Sequence, residues 1–258
     1  MATRITPLRL EAFEQLPKHA RRCVYWEVDP PTVGNDDQLS DPEFEKEAWL
    51  SMVMLQWGSC GQIAVQECRD PAEDSDPGLE LTDEPCLGYA FYAPPRVVPR
   101  AGHFPTGPVS PDAVLLTSLG VEPGPGSAEL PGMLIAAVVG DLVRRGVRAL
   151  EAFGRSPQVA ELSDPARVPA DAAPVMAALG DCSVGRCVLA TDLLLDVGFV
   201  VVSQHTYFPR LRLELEQGLG WKADVEAALE RLLQSAQLQQ PVGAGANPVG
   251  AAAHRSQG

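Results

Sequence analysis

The residues best suited to bind a metal or to act as nucleophiles are six cysteines and four histidines. The cysteines are scattered and none forms a Cys-x-x-Cys pair, the arrangement typical of structural zinc sites. The histidines are not spaced as ligands beside them. The pattern therefore predicts no metal site and favours buried thiols in a reducing compartment. The six cysteines are Cys23, Cys60, Cys68, Cys86, Cys182 and Cys187.

Acidic side chains dominate the charge of the chain. The formal net charge is -14 over 258 residues, and seven carboxylates fall within segment 69–85. Such a surface repels nucleic-acid phosphates and anionic lipid, so we expect neither nucleic acid nor membrane as a partner. The acidic run itself is typical of a solvated connection between two strands.

No targeting or spanning segment is predicted. An apolar run of about 20 residues is needed to cross a bilayer, and none is present in the sequence. The segment Met1–Leu10 lacks the apolar stretch of a signal peptide. We therefore expect a cytoplasmic protein.

Apolar periodicity predicts several elements in the first half of the chain. A helix is expected from Asp41, a capping residue followed by proline, to Gly58. Its predicted core face is the stripe Phe44, Ala48, Met52 and Leu55. A short helix is expected over 8–16, with strands over 23–28, 62–68 and 87–93. Segment 94–112 is a Pro/Gly-rich loop, and loops of that length are often functional.

The centre of the chain carries the clearest pattern. Segment 113–121 is a near-continuous apolar run, as expected for a strand buried on both faces. A loop leads to a helix over 133–145 that Gly146 terminates, and a strand over 147–153 follows. Strand, helix and strand at these lengths predict a βαβ unit.

The remainder predicts one domain with an insertion. Segment 154–188 is Pro/Ala-rich and poorly patterned, and a short helix over 191–197 precedes strands over 200–205 and 211–215. An amphipathic helix is expected over 222–237. We therefore predict a single domain over 1–238 and a disordered tail over 239–258.

This order of elements resembles the GNAT family of N-acetyltransferases. Three stretches carry the resemblance: LLTSLGVEP at 115–123, RRGVRALEAFG at 144–154 and LLLDVGF at 193–199. The first looks like the family's central strand, and the last like its helix followed by Gly-Phe. The likeness implies a mixed α/β sheet with splayed parallel strands. It also implies an actinobacterial-type subfamily with a degenerate pyrophosphate loop.

The resemblance also implies a cosubstrate site. In the family, the pantetheine arm of acetyl-coenzyme A pairs with the first splayed strand, and its pyrophosphate lies at the next helix N-terminus. Carried over, these contacts fall on Leu119, Gly120 and Val121 for the arm. For the pyrophosphate they fall on Gly126, Ser127, Ala128, Glu129, Leu130 and Gly132. The expected partners are acetyl-coenzyme A and an amine acceptor, with a homodimer left open.

The chain departs from the family pattern at the loop and at the proton-transfer positions. Ser127 and Glu129 replace the two loop glycines, and a carboxylate near phosphate is unfavourable. Thr117, followed by Ser118, replaces a glutamate on the central strand, and Leu194 replaces the tyrosine acid. Thr117, Ser118 and Tyr207 are our catalytic candidates. Asp112 and His103 in the long loop are further possible substitutes for the missing acid and base.

Three interpretations remain open on the sequence. The first is an active acetyltransferase, because positioning alone supplies much of the rate. The second is a degenerate GNAT-fold protein with a binding or regulatory role. The third is a structural domain whose βαβ unit only imitates the family. For the first, an acidic acceptor cleft formed by loops 69–85 and 94–112 would suit a cationic amine.

Overall fold

A mixed β-sheet of eight strands runs through the computed structural model, which describes residues 3–29, 41–66, 85–163, 168 and 184–215. The strands are β1 (Thr3–Pro7), β2 (Gly61–Gln66), β3 (Cys86–Ala93), β4 (Ala113–Val121), β5 (Ala149–Arg155), β6 (Leu189–Ala190), β7 (Val200–Ser203) and β8 (Arg210–Glu214). The helices are α1 (Lys18–Arg22), α2 (Pro42–Trp57), α3 (Leu130–Arg144), α4 (Val184–Cys187) and α5 (Thr191–Asp196). Short 3-10 helices occur at Leu10–Gln15, Pro95–Val97, Pro99–His103 and Pro157–Ser163.

The sheet order is β1-β2-β3-β4-β5-β8-β7, with β6 beside β5. The β4–β5 and β5–β6 pairs are parallel, and the other neighbours are antiparallel. Parallel strands require a crossover, and α3 supplies it between β4 and β5. The predicted mixed α/β class with a central βαβ unit is therefore confirmed.

The βαβ unit forms where the sequence indicates, with shifted boundaries. Helix α3 begins three residues earlier than predicted, at Leu130, and Gly146 follows its end with φ of +71°. This left-handed backbone conformation favours glycine, because glycine has no Cβ that would clash with the backbone. Leu134, Val138 and Leu142 are fully buried in the core beneath α3.

Each face of the sheet is covered by its own core. We call them the α3 face, where α3 and α5 pack, and the α2 face, where the N-terminal helices pack. Alternate side chains of β3 serve the two cores: Tyr89 and Phe91 point to the α2 face, and Ala90 and Tyr92 to the α3 face. This alternation is the period of two that strand geometry imposes.

The strand predicted over 23–28 was wrong. Those residues form turns, while a strand that the sequence pattern missed, β1, occupies the edge of the sheet. Tyr25 and Trp26 are buried all the same, and the Trp26 ring stacks on Phe104 at 5.2 Å between centroids. The alternation of buried aromatic residues thus resembles that of a strand, although none of the described strands pairs with this segment.

The stripe predicted as the buried face of α2 was also wrong. Phe44 is 63% exposed and Leu55 is 85% exposed, whereas Lys46, Trp49, Leu50 and Val53 face the core. Asp41 caps the helix as expected, because its Oδ1 accepts hydrogen bonds from the Glu43 and Phe44 N–H groups. Apolar residues lie on both sides of this helix, so periodicity alone did not select the buried side.

Several predicted segments lie outside the described residues. They include the helix over 222–237, the tail over 239–258, the acidic loop over 69–84 and most of the 154–188 insertion. In the portions that are described, the structure contains no helix of the length and hydropathy required to span a membrane.

Candidate functional site

The two parallel strands of the βαβ unit part after three paired positions. Ala113, Val114 and Leu115 of β4 pair with Ala149, Leu150 and Glu151 of β5. Beyond this point β4 continues beside β3 up to Val121, while β5 pairs with β6 at Gly154 and Arg155. The edge of β4 over 116–121 that faces β5 therefore has no strand partner among the described residues, and its backbone groups can pair with an extended ligand.

A β-bulge lies at the start of this unpaired edge. Phe91 of β3 opposes Ser118, and the next residue, Tyr92, opposes Leu116, so Thr117 is the additional residue. Thr117 is 1% exposed, and its hydroxyl donates to the Phe91 carbonyl oxygen over 3.0 Å. Bulges redirect a strand, often beside functional sites. The Thr117 hydroxyl is occupied in this bulge, and Ser118 is half-buried beside it.

A cavity of about 830 Å³ extends along the end of β4 on the α2 face. Leu119, Gly120 and Val121, which the resemblance assigned to the pantetheine arm, all line it. Other elements also contribute to the lining, among them Lys18 and His19 of α1, Cys86 and Tyr89 of β3, and Arg186 of α4. The fold thus brings the predicted β4 residues to one wall of a single cavity.

Tyr89 covers Gly120 within this cavity. A Cβ added at Gly120 would lie 2.5 Å from Cε1, 2.6 Å from Cζ and 2.7 Å from the hydroxyl oxygen of Tyr89. Only glycine leaves space for the ring at that distance. Burial raises the pKa of Tyr89, so the phenol keeps its proton. Tyr89 is therefore a protonated donor at the unpaired strand, which the sequence pattern did not single out.

His19 faces the same cavity as a neutral imidazole. Burial lowers the pKa of His19 below its ordinary 6.5, and the positive charges of Arg186 and Lys46 lower it further. A neutral ring nitrogen can accept a proton at neutral pH. No sequence motif marks His19, because only the packing of α1 brings it to the end of β4.

A possible metal ligand set beside the cavity does not hold up. One ligand atom each from His19, Cys23 and Cys187 lies within 4.8 Å of the others. Cys187, however, is disulfide-bonded, so its sulfur is not a thiolate. We therefore assign no metal to these residues. The disulfide also contradicts the expectation that all six cysteines are thiols, and its other half lies outside the described residues.

The loop before α3 is open to solvent. Gly126 adopts φ of +78°, and turn hydrogen bonds join the Ser127 N–H to the Gly124 carbonyl and the Glu129 N–H to the Gly126 carbonyl. The first N–H groups of a helix have no partner within it, and Pro131 has no N–H. Leu130 and Gly132 therefore present N–H groups at the start of α3. Glu129 and Ala128 are exposed there, and Ser127 is half-buried.

The remaining catalytic candidates lie elsewhere. Tyr207 lies between β7 and β8, and its side chain packs against the core of the α2 face. Asp112 forms an ion pair with Arg212 at 2.9 Å. His103 lies 2.7 Å from Asp29. None of the three is among the described residues that line the cavity. Leu194, at the position of the family's tyrosine, is fully buried.

Comparison with known proteins gives similarity to solved structures alone. No protein-family model matches the chain, and no curated protein matches it. A putative acetyltransferase from Salmonella typhimurium, yncA, solved with acetyl-CoA, is 14% identical over 83% of this chain and 95% of its own, with a TM-score of 0.44. An N-acetyltransferase from Staphylococcus aureus Mu50 is 11% identical over 83% and 99%, with a TM-score of 0.43. The paia N-acetyltransferase from Thermoplasma acidophilum, in complex with coenzyme A, is 12% identical over 83% and 99%, with a TM-score of 0.41. A functional assignment must therefore rest on the residues of this chain.

Proposed function

We propose that the chain is a GNAT-type N-acetyltransferase that transfers an acetyl group from acetyl-coenzyme A to an amine. The observation that carries the proposal is the parting of β4 from β5 after Leu115, beside a cavity lined by Leu119, Gly120 and Val121. An extended thiol arm can pair with such an edge as an added strand would. The cavity volume, about 830 Å³, lies within the range of about 300–1,000 Å³ typical of small-molecule sites.

The start of α3 supports the same proposal. Its outward N–H groups and the helix dipole favour an anion there, which suits a pyrophosphate. Gly124, Gly126 and Gly132 have open space where a Cβ would stand, so a ligand can approach their backbone closely. Glu129 opposes an anion, but its side chain is exposed and free to turn to solvent. In this proposal residues 126–130 and 132 bind the pyrophosphate.

The chemistry divides between the cosubstrate and two side chains. Acetyl-coenzyme A supplies an acetyl group activated as a thioester. We assign His19 as the acceptor of the amine proton, because its imidazole is neutral and faces the cavity. We assign Tyr89 as the donor that protonates the departing thiolate. Thr117, Ser118 and Tyr207 stay predictions, and the occupied hydroxyl of Thr117 favours a structural role for that residue.

Two measurements test the proposal in sequence. Acetyl-coenzyme A at about 100 times its dissociation constant should stabilise the protein by about 2.7 kcal/mol, seen as a higher melting temperature. Desulfo-coenzyme A, which keeps the arm and lacks the thioester, is the matched control for the acetyl group. No shift at millimolar ligand would contradict the proposal at its base.

Turnover separates an enzyme from a binding protein. The protein is incubated with acetyl-coenzyme A and a panel of cationic, neutral and carboxylated amines, and free thiol is assayed. We expect amine-dependent thiol release that His19→Asn reduces by about 10²-fold or more. Binding without release across the panel would support the degenerate, regulatory alternative. The homodimer and the cytoplasmic location stay predictions, to be tested by light scattering and by fractionation.

A further inference from the structure

The cavity along β4 has a positively charged lining, although the chain as a whole is acidic. Among the described residues that line it, Lys18 and Arg186 contribute two cations and Glu122 contributes one carboxylate. The formal net charge of the whole chain is -14. The charge inside a cleft, more than the overall charge, decides which ligand the cleft concentrates. This cavity therefore favours an anion that most of the surface repels.

Both cations are available to a ligand. Lys18 and Arg186 are exposed, and neither side chain forms an ion pair within the described part of the chain. Arg21, on the same helix as Lys18, is by contrast engaged by Glu14 at 2.6 Å and by Glu43. A ligand carboxylate would therefore not have to displace a protein carboxylate from either cation.

Glu122 does not neutralise the two cations. It forms no ion pair among the described residues, and its N–H donates to the Leu87 carbonyl oxygen over 2.9 Å, which fixes it at the end of β4 beside β3. Burial is the main cause of the raised pKa of Tyr89, and the nearby charge of Glu122 raises it further. The carboxylate thus stands on the wall formed by β3 and β4, whereas the cations come from α1 and α4.

Positive charge also surrounds the residue to which we assign the amine proton. Burial lowers the pKa of His19, and the charge of Arg186 lowers it further, so the guanidinium lies near the imidazole. The same field acts on an amine held at that imidazole and disfavours its ammonium form. This keeps the amine nucleophilic. The affinity for the acceptor must then come from a group other than an ammonium.

We propose that the acceptor is a small amine that also carries a carboxylate, which Lys18 and Arg186 bind while the amine lies at His19. The inference rests on the proposed transferase function and names its substrate class. A planar guanidinium matches a carboxylate in shape and in donor spacing. The transfer itself is unchanged: the C–N bond forms as the thioester C–S bond breaks, His19 takes the amine proton, and Tyr89 gives a proton to the sulfur. This acceptor differs from the cationic amine that the acidic segment indicated.

Matched product pairs test the preference for a carboxylate without interference from amine ionisation. Calorimetry measures the binding of N-acetylglycine, N-acetylleucine and N-acetylphenylalanine to the full-length protein, and of the amide of each, with and without coenzyme A. Within a pair, the acid and the amide differ only at the carboxyl group. We expect at least one acid to bind, about tenfold more tightly than its amide. Amides that bind as tightly as the acids, or no binding of any acid at millimolar concentration, would overturn the inference.

Variants locate the charge preference. Arg186→Met and Lys18→Met should each weaken binding of the tightest acid about 3- to 10-fold and leave its amide unchanged, because each removes one exposed charge contact. Glu122→Gln should strengthen it about 2- to 5-fold by removing a repulsion. Arg22→Met is the control, since Arg22 is an exposed cation of α1 and is not among the residues that line the cavity. Unchanged binding in both cavity variants, or an equal loss in Arg22→Met, would refute the assignment.

The outcome is separable from that of the transferase proposal. Acid binding by a protein that does not bind acetyl-coenzyme A would support the carboxylate site and contradict the transferase. Acetyl-coenzyme A binding and turnover, with equal affinity for acids and amides, would contradict the carboxylate inference alone. The two cations could instead serve the phosphates of coenzyme A. In that event Arg186→Met and Lys18→Met would weaken coenzyme A binding and leave the acids unaffected, and this result would also overturn the inference.

Discussion

Substitution of Gly120 by alanine tests the geometry on which the cosubstrate site depends. The added methyl would lie 2.5–2.7 Å from three atoms of the Tyr89 side chain, well inside van der Waals contact. The backbone of β4 is held by pairing with β3, where Gly120 itself opposes Tyr89. The strain therefore falls on the Tyr89 side chain, which is buried and contacts Phe91 at 5.1 Å between ring centroids.

The size of the effect follows from overpacking. Inserting a methyl group into a packed site costs about 1–3 kcal/mol. For a domain of this size, each kcal/mol lowers the melting temperature by about 2–4 °C. We therefore expect a decrease of about 2–12 °C. Tyr89 should also be displaced into the cavity, so affinity for acetyl-coenzyme A should fall.

The assay is thermal unfolding by circular dichroism, with calorimetry for ligand binding. Gly102→Ala is the control, because a Cβ there meets no atom within 4 Å, no left-handed φ is involved and Gly102 is not among the residues that line the cavity. Tyr89→Leu supplies the second arm of a double-mutant cycle. Alanine at 120 should be much less harmful when the ring is absent.

Additive effects of Gly120→Ala and Tyr89→Leu would refute the reasoning. Additivity means that the two residues do not contact each other. The cavity wall described here would then be misplaced. A neutral Gly120→Ala variant would lead to the same conclusion.

Three further predictions concern charge. The kcat/KM for acetyl transfer should rise with pH through an acidic limb with its midpoint below 6.5, since burial lowers the pKa of His19 and the neutral ring is the active form; His19→Asn should remove that limb. Glu151→Gln should destabilise the protein by about 3 kcal/mol in urea unfolding, because buried Glu151 bridges Arg210 and Arg212. Burial alone would raise the pKa of Glu151, but hydrogen bonds from Ser110 and Arg210 outweigh it, so this stabilisation is present at neutral pH and is lost as the pH falls below about 4.5. Glu129→Gln should raise acetyl-coenzyme A affinity about 2- to 5-fold by calorimetry if the carboxylate faces the pyrophosphate, and an unchanged value would mean that it points to solvent.

The central βαβ unit could be predicted from the sequence because its signals are local. The apolar run over 113–121 and the glycine at 146 act on their own segments, and the structure confirms both elements. The placement of three cavity residues was predictable as well, because they lie on β4 directly after its buried part; they are Leu119, Gly120 and Val121.

The rest depends on contacts between distant segments. His19 and Tyr89 reach the cavity only because α1 and β3 pack beside β4, and neither carries a local motif. Helix α2 has apolar residues on two sides, and the Lys46–Glu27 pair helps to bury the side that periodicity did not favour. The aromatic residues at 23–28 are buried in a turn and not in a strand, because tertiary packing outweighs their strand propensity.

Glu151 stands at the last paired rung between β4 and β5, where its oxygens accept from Arg210, Arg212 and the Ser110 N–H. The two guanidinium groups belong to β8, and the Ser110 N–H comes from the segment just before β4, so one buried carboxylate links β5 to both of its neighbours. The closed end of the opening is thereby held by the chain itself. A ligand that binds in such a preformed cleft loses little binding free energy to rearrangement of the protein.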